Sequence, residues 1–267
     1  MSRLGTLGII LAIAVLLMGF GWQWQRRRSN AGIVDVLWSL GLGGAAVVAA
    51  ALGSGALAPR LLVGVCGGLW GLRLALHLWR RVRGESEDGR YRALRALWGN
   101  NQLKWLALFA LQAVLVALFA VPFVIDAGNQ SPRLGWLAAG AVCWCLSVAG
   151  ESLADAQLAR FRSDPVNRGR TCRVGLWRYS RHPNYFFEWL HWFTYVAFAV
   201  GAPQGWAALA GPLLMYVFLR YLSGIPFTEA QALRTRGEDY RDYQRRTSML
   251  FPWPPRRSPA PSPEAHP

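Results

Sequence analysis

The stretch LGTLGIILAIAVLLMGFGWQWQRRRS, residues 4–29, decides what kind of chain this is. Its apolar part, Leu4–Trp24, is long enough to cross a bilayer core, which takes about 20 such residues as a helix. It is too long for the hydrophobic region of a signal peptide, and it runs into QRRRS rather than a small-residue cleavage site. The three arginines that follow hold their end of an anchor on the cytoplasmic side, so the N-terminus is expected outside.

Further apolar runs cover approximately Ile33–Leu57, Leu61–Trp79, Trp105–Ile125, Leu134–Ala154, Tyr185–Ala202 and Trp206–Leu222. Seven runs predict an all-α, polytopic membrane protein with the N-terminus out and the C-terminus in. They form a single seven-helix domain over residues 1–253. The remainder, 254–267, reads PPRRSPAPSPEAHP and is expected to be a disordered Pro-rich cytoplasmic tail. Charged residues make up only 16% of the chain, against about 25% in soluble domains. Lipid is therefore the expected solvent for most of it.

The net charge of +15 invites a nucleic-acid reading, and the positions of the charges argue against it. Of the 29 Lys and Arg, three follow the first run, seven lie in 80–104, seven in 155–184 and seven in 223–267. The alternate connections hold only Arg3, Arg60 and Arg133, while Arg73 and Arg220 sit inside runs. This alternation is the positive-inside pattern, and a nucleic-acid surface needs no such pattern. Membrane lipids are expected partners through the basic loops, and no protein partner is expected. The four cysteines form no CxxC pair or His-rich cluster, so no metal site is expected. The first location to consider is the inner membrane of a bacterial cell, because outer-membrane proteins are barrels.

Polar side chains inside apolar runs are costly and face the interior of a bundle. Asn184, Glu188, His191 and Tyr195 recur at i, i+4, i+7 and i+11, one stripe along a helix. Glu151, Asp155, Leu158 and Arg162 share that spacing, Arg73, His77 and Arg80 line up likewise, and Asp35 opens the second run. Mutual pairing that locks the bundle is one explanation. A polar cavity opening to the cytoplasm is the other, and four helices aiming such groups inward favour it. In RYSRHPNYFFE, residues 178–188, Pro183 suits a first helical turn. The free N–H groups there, ringed by Arg170, Arg173, Arg178 and Arg181, suit a phosphate or carboxylate. Arginines touching lipid headgroups are the plainer account of the same residues. No Gly-rich dinucleotide fingerprint occurs.

The stretch ADAQLARFRSDPVNRGRTCRVGLWRYSRHPNYFFEWLHW, residues 154–192, resembles the steroid 5-alpha-reductase-like membrane proteins. It is most similar to their bacterial branch, domain of unknown function 1295. NAGIVDVLWSLG, WGLRLALHLWRR, EDGRYRALR and GIPFTEAQALRTRGEDYRDYQRRTSMLFPW extend the likeness over about residues 30–253. The resemblance implies a seven-helix reductase that takes NADPH from the cytoplasmic side. It places Asp155 and Arg162 around the adenine nucleotide, Arg170 at a further basic position, and Asn184 and Glu188 near the nicotinamide. Arg181, His182 and Tyr240 complete the expected cofactor-binding set. Asp35 is the candidate acid and Tyr91 the candidate phenol on the substrate side, with Glu188 and His191 also expected to be catalytic. The family usually carries Gly just before its Glu, and Phe187 stands there in this chain.

The reaction implied is reduction of a carbon–carbon double bond conjugated to a carbonyl in a lipid-like substrate, steroid or isoprenoid. It needs a hydride donor, which no side chain supplies, and polarisation of the carbonyl. It also needs a proton from groups tuned by a dry site. An alternative is an S-adenosylmethionine-dependent methyltransferase of the isoprenylcysteine or phospholipid type, which shares RHPNY and the Glu229…Tyr240 region. Such enzymes usually show paired glutamates, whereas Ala230 follows Glu229 here. A third reading is a non-catalytic lipid-binding membrane protein.

Overall fold

The computed structural model describes residues 1–84 and 86–256; most of the expected tail, from residue 257 on, lies outside the described residues. Among them the chain is helical, with no strand. In order the α-helices are α1 Arg3–Arg28, α2 Ile33–Leu52, α3 Leu57–Gly84, α4 Gly89–Trp98, α5 Gln102–Phe119 and α6 Val121–Ala127. Then come α7 Leu134–Ser163, α8 Pro183–His191, α9 Phe193–Phe198, α10 Ala210–Val217, α11 Ile225–Arg236 and α12 Glu238–Arg246. Six helical stretches are long and apolar enough to cross a membrane: 3–28, 33–52, 57–84, 102–127, 134–163 and 205–236. This is a multi-pass membrane protein. Large apolar side chains such as Leu16, Phe20, Leu111 and Leu146 are more than half exposed along these helices, a surface that suits lipid and not water.

The helix ends follow local chemistry. Ser2 caps α1 by accepting from the Gly5 N–H, and Ser29 closes it in a left-handed conformation. Asp88 caps α4 through the Arg90 N–H, and Asn101 caps α5 through Lys104. Pro122 lies at the joint between α5 and α6, where an interior proline removes a helical hydrogen bond. The run Tyr185–Ala202 folds as α8 and α9, divided at Trp192. Trp206–Leu222 opens as a 3-10 turn and closes through a π turn, Phe218–Leu222.

The contacts gather into two compact units. The first holds Met1–Cys145 and Leu190–Val217. Its most extensive packing joins α2 to α3, and small residues explain it. A Cβ added at Gly71 would lie 2.6 Å from the Gly43 Cα and 2.7 Å from the Ser39 carbonyl oxygen. The two backbones touch there, as small residues allow in membranes. At one end of this unit Arg3, Ser54, Gln130, Ser131, Gly201 and Pro203 line a cavity of ≈ 370 Å³. Buried Asn129 holds that end together, its Nδ2 donating to the Phe198 carbonyl at 2.9 Å and the Val200 carbonyl at 3.2 Å. Cys143 and Leu190 meet through an Sγ···O contact of 3.5 Å, and Gly140 leaves room for the Phe198 ring.

The second unit holds Leu146–Trp189 and Phe218–Pro267, described to residue 256. Here the loop after α7 is pinned from two sides. The Trp177 indole donates to the Ala154 carbonyl and the Leu176 N–H to the Gln157 side chain, each at 2.9 Å. Arg173 pairs with Asp239 and Asp242 of α12, both at 2.8 Å. Phe187 packs on α7 at Gly150, where an added Cβ would come within 2.4 Å of its ring. The Phe187 ring thus has a facing glycine to receive it.

Candidate functional site

In the first unit, α2 begins with Asp35 and α4 begins with Arg90 and Tyr91, and these three meet. The Tyr91 hydroxyl donates to Asp35 Oδ1 at 2.8 Å, and Arg90 Nη2 donates to Asp35 Oδ2 at 2.8 Å. Asp88 steers Arg90 by accepting from its Nε at 3.0 Å. Glu87 fixes the approach of α4 by pairing with Arg95 and accepting from the Ala31 N–H at 2.7 Å. Tyr91 is buried. Burial, and then the neighbouring Asp35 charge, push its phenol well above the usual range, so it stays protonated. Asp35 in turn holds the Arg90 guanidinium firmly charged. A cavity of ≈ 30 Å³ beside Asp35, Asp88 and Arg90 has room for a water.

His191 lies elsewhere in this unit. Its ring stacks on Trp70 with centroids 4.7 Å apart, and its Nε2 lies 3.0 Å from the Tyr195 hydroxyl. Both residues are fully buried in an aromatic core with Trp192 and Phe123. Among the described residues no hydrogen bond joins His191 to Asp35 or Tyr91.

In the second unit, Asn184 Nδ2 donates to Asp155 Oδ1 at 3.2 Å, and its Oδ1 accepts from the Tyr185 N–H. Glu188 follows one turn later on α8 and is 8% exposed. Arg162 ends α7 and Arg170 lies in the loop beyond; both side chains are exposed. The arginine ring expected at the start of α8 divides in two. Arg173 is held by α12, and Arg181 is largely enclosed, its Nε 2.7 Å from Glu229 and its Nη1 on the carbonyls of Gln244 and Thr247. Arg170 and Arg178 stay on the surface.

His182 and Tyr240, expected beside the cofactor, converge on Glu229 as well. His182 Nε2 lies 3.2 Å from Glu229 Oε1 and the Tyr240 hydroxyl donates to it at 3.4 Å, while Gln244 donates to Oε2 at 2.8 Å. Burial lowers the His182 imidazole below its usual value, outweighing the pull of Glu229 upward. Burial raises the Tyr240 phenol, with Glu229 adding to it. Glu229 as the hub of four side chains was not picked out by the sequence reading of the reductase site. A lone carboxylate at the end of an apolar run, facing RHPNY across 46 positions, was the available signal.

The chain belongs to DUF1295, a family described as protein of unknown function, whose match covers residues 21–247. No curated protein and no solved structure matches it. The matched span contains every candidate residue described above.

Proposed function

We propose that this protein is a membrane-embedded, NADPH-dependent reductase of a conjugated carbon–carbon double bond in a lipid-like substrate. The observation that carries the reading is the Tyr91–Asp35 hydrogen bond, which joins the two residues that the resemblance expects on the substrate side. A buried phenol held protonated beside a charged guanidinium is suited to polarising a carbonyl. In the resting arrangement its hydroxyl donates to Asp35, so donation to a carbonyl requires the hydroxyl to change partner. The cavity beside Asp35 has room for a water through which the proton would be replaced.

The residues of the second unit suit a dinucleotide. Arg162 and Arg170 are exposed cations for phosphates, and Asp155 offers a carboxylate to ribose hydroxyls. Asn184 and Glu188, a turn apart, suit a carboxamide. When bound, NADPH supplies the hydride. Arg181, His182 and Tyr240 act on this site through Glu229, fixing the start of α8. The bundle crosses the membrane seven times, with the N-terminus outside, in a bacterial inner membrane. The substrate enters from the bilayer.

The Glu229 hub also supports the methyltransferase reading, because it draws RHPNY and the Glu229…Tyr240 region together. Isothermal titration of the solubilised protein with NADPH, NADH and S-adenosylmethionine separates the two. Saturable NADPH binding, lost in Asn184→Ala, is expected. Binding of S-adenosylmethionine alone would reverse the assignment.

A further inference from the structure

The end of the described chain builds a second polar cleft within the Leu146–Trp189 and Phe218–Arg256 unit. After α12 the chain turns back on itself. The Arg256 N–H donates to the Arg246 carbonyl at 2.9 Å, the Arg181 N–H to Ser248 at 2.8 Å, and the Trp253 N–H to Tyr179 at 2.9 Å. Ser180 Oγ adds a bond to the Leu250 carbonyl at 2.7 Å. The loop so closed frames a cleft of ≈ 420 Å³ whose lining includes Arg181, Arg245, Arg246, Arg256, Ser248 and Trp253.

Among the described residues no carboxylate lines this cleft. Glu229 neutralises Arg181 from behind. Asp242 lies 2.9 Å from Arg246 but only within 3.5 Å of Arg245, and it is already held by Arg173 at 2.8 Å. One carboxylate therefore serves three guanidiniums, and the exposed Arg256 side chain has no acid partner among the described residues. The cleft carries surplus positive charge in a preformed pocket. Guanidinium groups recognise phosphate by paired N–H donation.

The aromatic rim says where the phosphate comes from. Trp253, which lines the cleft with the arginines, is 71% exposed. The last apolar run ends at Leu222, the helical stretch that carries it continues to Arg236, and α12, of nine residues, spans about 14 Å from there toward the cleft. Exposed Trp next to Arg, beyond a membrane-spanning stretch, fits the headgroup layer. We propose that this cleft binds the phosphate of an anionic membrane lipid. The proposal is independent of the NADPH reading, since Asp155, Arg162, Arg170, Asn184 and Glu188 do not line the cleft.

The test uses the full chain, delipidated in detergent and titrated by native mass spectrometry with phosphatidylglycerol or phosphatidylcholine. The wild type should prefer phosphatidylglycerol. Each guanidinium near the surface is worth about fivefold, so Arg245→Gln/Arg256→Gln should weaken that lipid about 25-fold and leave phosphatidylcholine unchanged. Arg245→Lys/Arg256→Lys should keep most of the preference. If the double variant fails to fold, Arg256→Gln alone, at an exposed side chain, should still show about a fivefold loss. Equal affinity of the wild type for both lipids, or full phosphatidylglycerol binding by the glutamine variants, would overturn the proposal. So would displacement of the lipid by inorganic phosphate or NADPH, which would assign the cleft to a soluble phosphate.

Discussion

Tyr91 and Asp35 are 56 positions apart in the chain and 2.8 Å apart in the fold, and the proposed chemistry rests on that pair. Tyr91→Phe removes one hydroxyl and keeps the ring, so folding should lose only about 1 kcal/mol. Reductase turnover should fall about 10²- to 10³-fold while NADPH affinity is unchanged. Single-turnover NADPH oxidation with an enone lipid checks this, and wild-type turnover in the variant would remove Tyr91 from the mechanism. His182 permits a separate test by pH. Burial holds its folded pKa below the unfolded 6.5, so the unfolded chain takes up the proton first as the pH falls. Stability from the neutral imidazole is therefore present above about 6.5 and is lost below it, by at most about 1.4 kcal/mol per pH unit. Asp239 and Asp242, lowered by their hydrogen bonds and Arg173, lose their contributions only below 3.8. Melting between pH 7.5 and 5 should fall more steeply in the wild type than in His182→Gln; parallel curves would refute the assignment.

At the scale of elements, the pairing of α7 with the start of α8 decides what Phe187 does. Gly150 meets its ring so closely that Gly150→Ala should cost about 1–3 kcal/mol through overpacking. Phe187→Gly should cost a similar amount by opening a cavity, and the two together should be far from additive. A melting-temperature cycle over the four proteins measures the coupling, and simple additivity would mean that the ring does not sit against α7. This pair also marks the limit of what sequence reading reached. Apolar length placed most of the helices, because burying backbone polar groups in lipid leaves few alternatives. Asp35, Asp155 and Asn184 were legible because polar side chains in or at the ends of apolar runs have few explanations, whereas Tyr91, between two runs, was reached only through the resemblance. Glu229's convergence with Arg181, His182, Tyr240 and Gln244 was not legible, since which of several acids and arginines pair depends on tertiary packing. Arg181 shows the cost: its charge suggested a phosphate, and its enclosed position gives it to Glu229.

For the whole molecule, the number of crossings turns on residues 183–198. As a helical stretch they extend about 24 Å, short of a core of about 30 Å, which is why they fall outside the six long spans. Within each unit, taken by itself, the neighbours along α7 nevertheless run in antiparallel order. Asn184 bonds to Asp155 and Phe187 meets Gly150; further on, Leu190 meets Cys143 and Phe198 meets Gly140. Asn129, just before α7, then holds the Phe198 and Val200 carbonyls. A segment that followed α7 back to its start would return to the side from which α7 set out, as the proposed seventh crossing requires. Single cysteines at the exposed positions Arg178 and Gln204, in a background with the four native cysteines replaced by alanine, test this in intact cells. A membrane-impermeant maleimide should label Gln204→Cys and leave Arg178→Cys unlabelled until the membrane is opened. Labelling of both from the same side would mean that 183–198 dips into the bilayer and returns, and the chain would cross six times with both ends on one side. In that case Arg3 and Arg256 would face the same compartment, against the positive-inside distribution of the 29 basic residues.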